Sequence, residues 1–220
     1  MNKIRVGYLG PGVNTFGYQA LEKFFQKKCY RGIEAIPFTN HSEVCAAVGS
    51  MDIDYGVVAS ENVIDGIVAE TIRAIESVDS HLGLKIWGEV TLPIELYFMS
   101  KSGEESLVKK LLSHQTAIGQ CRRLISQLQE RGIPIEVQPS TSRGAEIAAS
   151  DSEVAALASR VALKNFKLKL IHKDSVTDYA NSATRFWILG KKHAPLEKSD
   201  SKNVTQKFKT CFLASLEQAA

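Results

Sequence analysis

The sequence predicts an α/β fold of two lobes with a ligand cleft between them. Strands alternate with short helices along most of the chain, a pattern typical of βαβ units and parallel sheets. One long β-rich stretch interrupts this alternation, which then resumes. With 220 residues, 44% of them hydrophobic and 23% charged, the chain is long enough for two small lobes that each bury a core. Junctions between such lobes are common ligand sites.

The first lobe is predicted to begin with a buried strand from Ile4 to Leu9, which ends at Gly10-Pro11-Gly12. Asn14 or Thr15 can cap the helix that follows, which runs to about residue 28. The other predicted elements of this lobe are strands at 33–38 and 55–59 and helices at 40–48 and 67–75.

The crossover into the second lobe is predicted within the β-rich stretch 84–99. Pro93 lies in its middle, and a proline cannot donate to a sheet, so it interrupts a central strand. The second lobe is predicted as helices at 104–112, 121–130, 143–149 and 160–165, with strands at 116–118, 135–137 and 154–157. An apolar strand at 184–189 then returns to the first lobe. The predicted lobes are therefore residues 1–95 with 180–192, and residues 96–179.

The charge pattern excludes some classes of partner. A formal net charge of +3 is too small to indicate nucleic-acid binding, and the short runs of lysine and arginine are typical of a solvated surface. The segment from Met1 to Val6 reaches polar residues and glycine too soon for a signal peptide. No run of about eighteen apolar residues is present, so no membrane span is predicted.

The cysteines and histidines indicate neither disulfides nor a metal site. Cys29, Cys45, Cys121 and Cys211 are far apart and form no CxxC pair, which is typical of reduced thiols in a cytoplasmic protein. The five histidines never recur at helical spacing, so no metal ligand set is predicted.

Four glycines surround the end of the first strand. Gly7, Gly10, Gly12 and Gly17 do not have the spacing of a dinucleotide-binding fingerprint, so a tight turn from strand to helix is the favoured interpretation. Such a turn still directs the N–H groups of a helix N-terminus toward the cleft. A carboxylate of an anionic metabolite fits there better than a nucleotide.

Polar residues follow several predicted strands. Ser60-Glu61-Asn62 can be a capping turn or a cleft wall, and Ser113-His114-Gln115 and Gln120-Cys121-Arg122 flank the predicted strand 116–118. Arg185 lies in an apolar strand, where it can face solvent, pair with an acid, or hold a substrate carboxylate through two parallel hydrogen bonds. Their joint placement at strand ends favours a polar ligand site.

Short motifs occur in a fixed order between about residues 4 and 190. They are Gly7-Tyr8-Leu9-Gly10-Pro11 with Thr15-Phe16; Tyr55-Gly56-Val57-Val58 with Glu61-Asn62 and Gly66; Gly88-Glu89 with Leu92-Pro93-Ile94; Ser113-His114 with Ala117 and Gln120-Cys121-Arg122; Ala155-Ala156-Leu157-Ala158-Ser159 with Ala162 and Asp178; and Thr184-Arg185-Phe186. Together they resemble the catalytic domain of the prephenate dehydratase family, for which the Thr-Arg-Phe triplet is the most diagnostic.

The resemblance implies a periplasmic-binding-protein-like (type II) fold with a central ligand cleft. It also implies decarboxylative dehydration of prephenate to phenylpyruvate in phenylalanine biosynthesis, with no metal and no organic cofactor, by a homo-oligomer (dimer or tetramer). Thr184 would assist departure of the ring hydroxyl, and Arg185 would hold a carboxylate. The implied substrate-binding residues are Thr15, Glu61, Asn62, Ser113, Gln120 and Phe186.

Several positions depart from the family pattern. The first motif is one residue longer and has Asn14 for glycine and Gly17 for serine; Val63 and Ser182 replace a serine and an asparagine. A non-aromatising prephenate decarboxylase, an arogenate dehydratase acting on the amino counterpart of prephenate, and a non-catalytic two-lobe small-molecule-binding module therefore remain as alternatives.

The C-terminal residues 193–220 are expected to be a linker followed by the first strand of a regulatory ACT domain. The linker is polar and rich in lysine, and the apolar segment near Phe212 resembles that strand.

Overall fold

The structure is a computed structural model that describes residues 3–12, 15–26 and 32–191. In the first lobe the elements are β1 (Ile4–Leu9), α1 (Phe16–Gln26), β2 (Ile33–Phe38), α2 (His41–Gly49), β3 (Tyr55–Asn62), β4 (Gly66–Ile67), α3 (Ala69–Leu82) and β5 (Leu84–Pro93). In the second lobe they are β6 (Tyr97–Ser100), a 3₁₀ turn (Glu105–Leu107), β7 (Lys110–Ser113), α4 (Gln115–Gly119), α5 (Arg122–Glu130), β8 (Ile135–Val137), α6 (Thr141–Ser150), β9 (Val154–Ala158), α7 (Arg160–Phe166) and β10 (Lys169–Leu170). The chain then returns to the first lobe as β11 (Ala183–Lys191).

The two sheets share one arrangement of strands. In the first the order is β2-β1-β3-β11-β5, with β4 attached to β3, and in the second it is β8-β7-β9-β6-β10. The three strands β2, β1 and β3 are parallel, as are β8, β7 and β9. The next strand in each sheet is antiparallel to these three and comes from a crossover between the lobes. It is β11, beside β3, in the first sheet and β6, beside β9, in the second. The predicted two-lobed α/β fold of the periplasmic-binding-protein-like kind is confirmed.

Apolar residues cover both faces of each sheet. In the first lobe, Phe24 and Phe25 of α1 pack on one face beside Tyr55 and Ile188, and Val44 of α2 belongs to a second cluster on the other face. Two further clusters enclose the sheet of the second lobe. Because burying one such side chain contributes about 1.5–3 kcal/mol, each lobe has a core that can hold its strand ends rigidly.

The predicted helix 104–112 and strand 116–118 are wrong. Leu111 and Leu112 belong to β7, which lies between β8 and β9 and is buried on both faces, so its continuous apolar run resembles a helix segment. Residues Gln115–Gly119 form a short helix, and the backbone N–H of Thr116 donates to His114 Nδ1 at its start. This capping contact favours the helix despite the β-branched residues.

The crossovers lie at the junction of the lobes. β5 ends at Pro93 and β6 begins at Tyr97, and the return follows β10 and ends at Ala183. The predicted linker and ACT strand at 193–220 lie outside the described residues. Within the part of the chain that the structure covers, every helix is too short or too polar to cross a membrane.

Candidate active site

A cleft of about 810 Å³ lies between the lobes. It forms where the parallel strands end: Leu9, Phe38 and Asn62 close β1, β2 and β3 and line it from the first lobe. His114 and Ser140, which follow β7 and β8, line it from the second. This is the edge at which α/β sheets bind ligands, because the helices that follow the strands begin there.

The N-termini of four helices meet at this cleft. The first turns of α1, α2, α3 and α6 contribute Phe16, His41, Glu70 and Thr141 to its lining. Each helix has at least nine residues and carries about half a positive charge at its N-terminus. The cleft therefore has a positive field suited to an anion.

The Thr184 hydroxyl faces the cleft in a fixed orientation. Asn62 Nδ2 donates a hydrogen bond of 2.8 Å to Thr184 Oγ1, and both side chains are buried and line the cleft. Since the hydroxyl oxygen accepts this bond, its proton can be donated to a ligand. Thr184 is thus placed to donate a hydrogen bond to a ligand in the cleft.

A β-bulge in the pairing of β3 with β11 determines which side chains of β3 face the cleft. Thr184 pairs with Asn62, but Phe186 pairs with Ala59, so Ser60 has no counterpart on β11. Its hydroxyl donates to the Arg185 carbonyl oxygen at 3.1 Å. Residues three apart on a regular strand would face opposite sides of the sheet. The bulge brings both Ala59 and Asn62 to the cleft face.

A buried amide network joins the lobes beneath Thr184. Gln120 Nε2 donates to Asp65 Oδ2 at 3.0 Å and to Asn62 Oδ1 at 3.4 Å. Gln120 Oε1 accepts a bond of 3.1 Å from the Ser182 hydroxyl. The Gln120 side chain is 1% exposed, and its bonds to Asn62 and Ser182 form away from bulk water. The network fixes Asn62, and Asn62 in turn fixes Thr184.

Thr15 and Phe186 also line the cleft. Thr15 Oγ1 accepts from the backbone N–H of Tyr18 at the start of α1, so this hydroxyl caps the helix. Phe186 is 4% exposed and belongs to the core of the first lobe. Gly17 lets α1 approach β1, because a Cβ there would lie 3.1 Å from the Leu9 carbonyl oxygen.

Three of the predicted site residues do not line the cleft. Arg185 points to the other side of its strand, where Nη1 lies 2.9 Å from Glu61 Oε2 and Nε lies 3.8 Å from Glu89 Oε2. Glu61 is thus an ion-pair partner of Arg185 in this structure. The Ser113 hydroxyl donates to the Leu157 carbonyl oxygen at 2.8 Å inside the second lobe. The alternation of side chains along a strand accounts for the opposite directions of Thr184 and Arg185.

The four ionisable side chains among the described residues of the cleft lining were not predicted as site residues: His41, Glu70, His114 and Arg143. Arg143 lies in the first turn of α6, whose N-cap Ser140 accepts from the Arg143 backbone N–H at 3.1 Å. A serine in the short loop after a strand, three residues before this arginine, is a capping signal that places the helix start at the cleft.

Two histidines in the cleft favour the neutral form. Burial lowers the pKa of His41 below its ordinary value, and the Glu70 carboxylate offsets part of this effect. His41 Nδ1 is buried and has no hydrogen-bond partner within the described residues, as a neutral imidazole allows. Burial also lowers the pKa of His114. The same residue ranges contain no group of three or more His, Cys, Asp or Glu side chains that could hold a metal.

The lowered pKa of His41 predicts acid sensitivity. Below about pH 6.5, the ordinary value, the unfolded chain takes up a proton at His41 that the folded protein does not, so the free energy of unfolding should fall. His41→Gln should lose less stability than the unmodified protein between pH 7.5 and 5.5 (about the range in which histidine titrates). Urea unfolding across this range measures the difference. Equal losses in the two proteins would show that His41 titrates normally in the fold.

Comparison with known proteins shows the family to which this chain belongs. The prephenate dehydratase family model matches residues 6–194. The chain belongs to this family. It is 34% identical over 206 residues to the bifunctional chorismate mutase/prephenate dehydratase of Aquifex aeolicus, covering 92% of this chain and 53% of that protein. It is 30% identical over 191 residues to the prephenate dehydratase of Bacillus subtilis, covering 84% of this chain and 64% of that protein.

The solved prephenate dehydratase structures have the same fold. The crystal structure from Arthrobacter aurescens, in complex with L-Phe, superposes with a TM-score of 0.74 at 24% identity, covering 87% of this chain and 61% of that one. The present chain thus spans between about half and two thirds of the length of these relatives.

Proposed function

We propose that this prephenate dehydratase family domain catalyses the decarboxylative dehydration of prephenate to phenylpyruvate, a step of phenylalanine biosynthesis. The observation that carries the proposal is the Thr184 hydroxyl, whose oxygen accepts a bond from Asn62 so that its proton is free for donation, in a cleft lined by helix N-termini. A donor held in this way is what departure of a hydroxyl group requires.

The reaction breaks two bonds of the substrate ring. The bond from the ring to its carboxylate breaks, carbon dioxide leaves, and the electron pair enters the ring. The bond from the ring to the hydroxyl oxygen breaks at the opposite carbon, and this oxygen leaves with its electron pair and takes up one proton to form water. Thr184 stabilises the leaving oxygen by hydrogen-bond donation while negative charge develops on it. Aromatisation of the ring makes the step favourable.

We assign the binding of the substrate carboxylates to Arg143 and the helix N-termini. Arg143 lines the cleft, and one of its five N–H donors contacts Glu146 at 2.7 Å. Its remaining donors can hold a carboxylate in a forked geometry. Binding of a carboxylate by Arg185 stays a prediction. In the present geometry its pairs with Glu61 and Glu89 suit it better to positioning strand β11.

Removal of the Arg143 charge should weaken substrate binding. Arg143→Gln is expected to raise KM by about 10-fold or more with a smaller change in kcat, because a hydrogen bond to a charged group contributes about 1.5–3 kcal/mol. Arg123→Gln is the matched control, since Arg123 is 83% exposed on α5 and lies outside the cleft. Steady-state kinetics of both variants measure the effect. An unchanged KM in Arg143→Gln would assign the carboxylate to another group.

Product analysis tests the proposed reaction. The protein is mixed with prephenate, phenylpyruvate is followed by its enolate absorbance, and the products are identified by NMR. We expect phenylpyruvate and carbon dioxide in equal amounts. Carbon dioxide with a non-aromatic product would identify a decarboxylase instead. Saturable binding by calorimetry without any product would identify a binding module.

We further propose that the protein is a cytoplasmic homo-oligomer, a dimer or a tetramer. The buried Cys45 and Cys121 are free thiols, as expected in a reducing compartment. Oligomerisation rests on the family resemblance alone. Light scattering of the purified protein tests it, and a mass near 24.2 kDa at micromolar concentration would contradict it.

A further inference from the structure

The Asn62 amide has one orientation, which the turn after β3 sets. Asn62 Oδ1 accepts from the backbone N–H groups of Ile64 at 2.8 Å and of Asp65 at 3.2 Å. Because a backbone N–H can only donate, the oxygen of this amide must face the turn. The amide nitrogen then faces Thr184 Oγ1, to which it donates at 2.8 Å.

The Gln120 amide is oriented in the same way, by groups that can play one role. An ionised carboxylate only accepts, so Asp65 Oδ2 selects the nitrogen of Gln120, which lies 3.0 Å away. The same nitrogen donates to Asn62 Oδ1 at 3.4 Å. Gln120 Oε1 therefore faces the other way, where it accepts from the Ser182 hydroxyl at 3.1 Å.

These bonds form a donor relay that runs in one direction. Ser182 donates to Gln120, Gln120 to Asn62 and Asn62 to Thr184, whose own proton is left for the ligand. All four side chains are at most 9% exposed, so water competes little for these bonds. Such a relay is cooperative, because a group that accepts a hydrogen bond is polarised and becomes a stronger donor.

Ser182 begins the relay from outside the cleft. It belongs to the return crossover that precedes β11 and is not part of the cleft lining. Its carbonyl oxygen accepts from the Ile94 N–H of the outgoing crossover at 2.7 Å, and its own N–H donates to the Tyr179 carbonyl oxygen at 3.3 Å. The pairing of the two crossovers thus places the Ser182 hydroxyl against Gln120.

We propose that Ser182 is a positioning residue for the dehydration, acting on Thr184 through Gln120 and Asn62. The inference rests on the proposed function, because it concerns the donor that assists departure of the ring hydroxyl. Ser182 does not touch the substrate. Its hydrogen bond holds the Gln120 amide in the orientation that the relay requires and strengthens the Thr184 hydroxyl as a donor.

The test removes the Ser182 hydroxyl in two backgrounds. Ser182→Ala deletes the first donor of the relay, Ser182→Cys replaces it by a weak donor of similar size, and Ser182→Thr keeps a hydroxyl. Ser175→Ala is the matched control, since Ser175 lies in the same crossover and its hydroxyl donates to the Leu96 carbonyl oxygen at 3.2 Å. The Ser182 changes are repeated in the Thr184→Val protein. Steady-state and single-turnover rates are measured with prephenate, and melting temperatures check folding.

We expect Ser182→Ala and Ser182→Cys to lower kcat by about 3- to 10-fold, the effect of one hydrogen bond, with a smaller change in KM. Ser182→Thr should keep most of the activity, and Ser175→Ala should leave kcat unchanged. Once Thr184 is valine, the relay ends in no donor, so the Ser182 changes should lower kcat no further.

Equal proportional losses of kcat in the two backgrounds would show a merely structural effect of Ser182. That result, or a normal kcat in Ser182→Ala, would overturn the role of Ser182 and leave the proposed function standing. No turnover of prephenate by the unmodified protein would overturn the proposed function and this inference with it.

Discussion

Replacement of Thr184 by valine should lower kcat by about 100-fold or more while substrate affinity changes little. Valine has nearly the same shape but no hydroxyl, so the leaving oxygen loses the donor that stabilises its developing charge. Thr184 is 9% exposed and lies near the start of β11, and valine is well accommodated in a strand.

Two controls make the result interpretable. Thr184→Ser keeps the hydroxyl and should retain most of the activity. Thr177→Val removes a threonine hydroxyl that does not line the cleft, and should leave kcat unchanged. Single-turnover measurements separate the chemical step from product release. A Thr184→Val protein with normal single-turnover rates would remove Thr184 from the mechanism.

Asn62→Asp should lower kcat by about 10- to 100-fold although the side chain keeps its shape. The Asn62 amide donates to Thr184 Oγ1, and a carboxylate at this position can only accept. The Thr184 hydroxyl would then donate to the carboxylate, and its proton would point away from the substrate. The new charge should also raise KM for a substrate with two carboxylates.

A double-mutant cycle tests whether Asn62 acts through the Thr184 hydroxyl. If Asn62 acts through the Thr184 hydroxyl, Asn62→Asp should reduce kcat little further once Thr184 is valine. Additive losses in kcat would show that the two residues act independently, and the positioning role of Asn62 would be rejected.

The fold was predictable because its strands carry strong local signals. The apolar segments at 55–59 and 184–189 both form central strands, and Pro93 ends β5 at the crossover. The β7 segment was not predictable, since a strand buried on both faces has no alternation to separate it from a helix.

The site was predictable only in part. Thr184 and Asn62 belong to recognisable motifs at strand ends, and they meet in the cleft at 2.8 Å. Which side chains of β3 face the cleft depends on the bulge at Ser60, and no local sequence pattern in β3 indicates a bulge. Arg143 and Glu70 come from opposite lobes, so their common cleft depends on how the lobes pack.

A crystal structure with a saturated, unreactive analogue of the substrate tests the central claim most directly. The analogue keeps both carboxylates and the ring hydroxyl. The ring hydroxyl oxygen should lie about 2.5–3.0 Å from Thr184 Oγ1, with a carboxylate on Arg143. An analogue bound with its hydroxyl directed away from Thr184, or bound outside the cleft, would contradict the proposed mechanism.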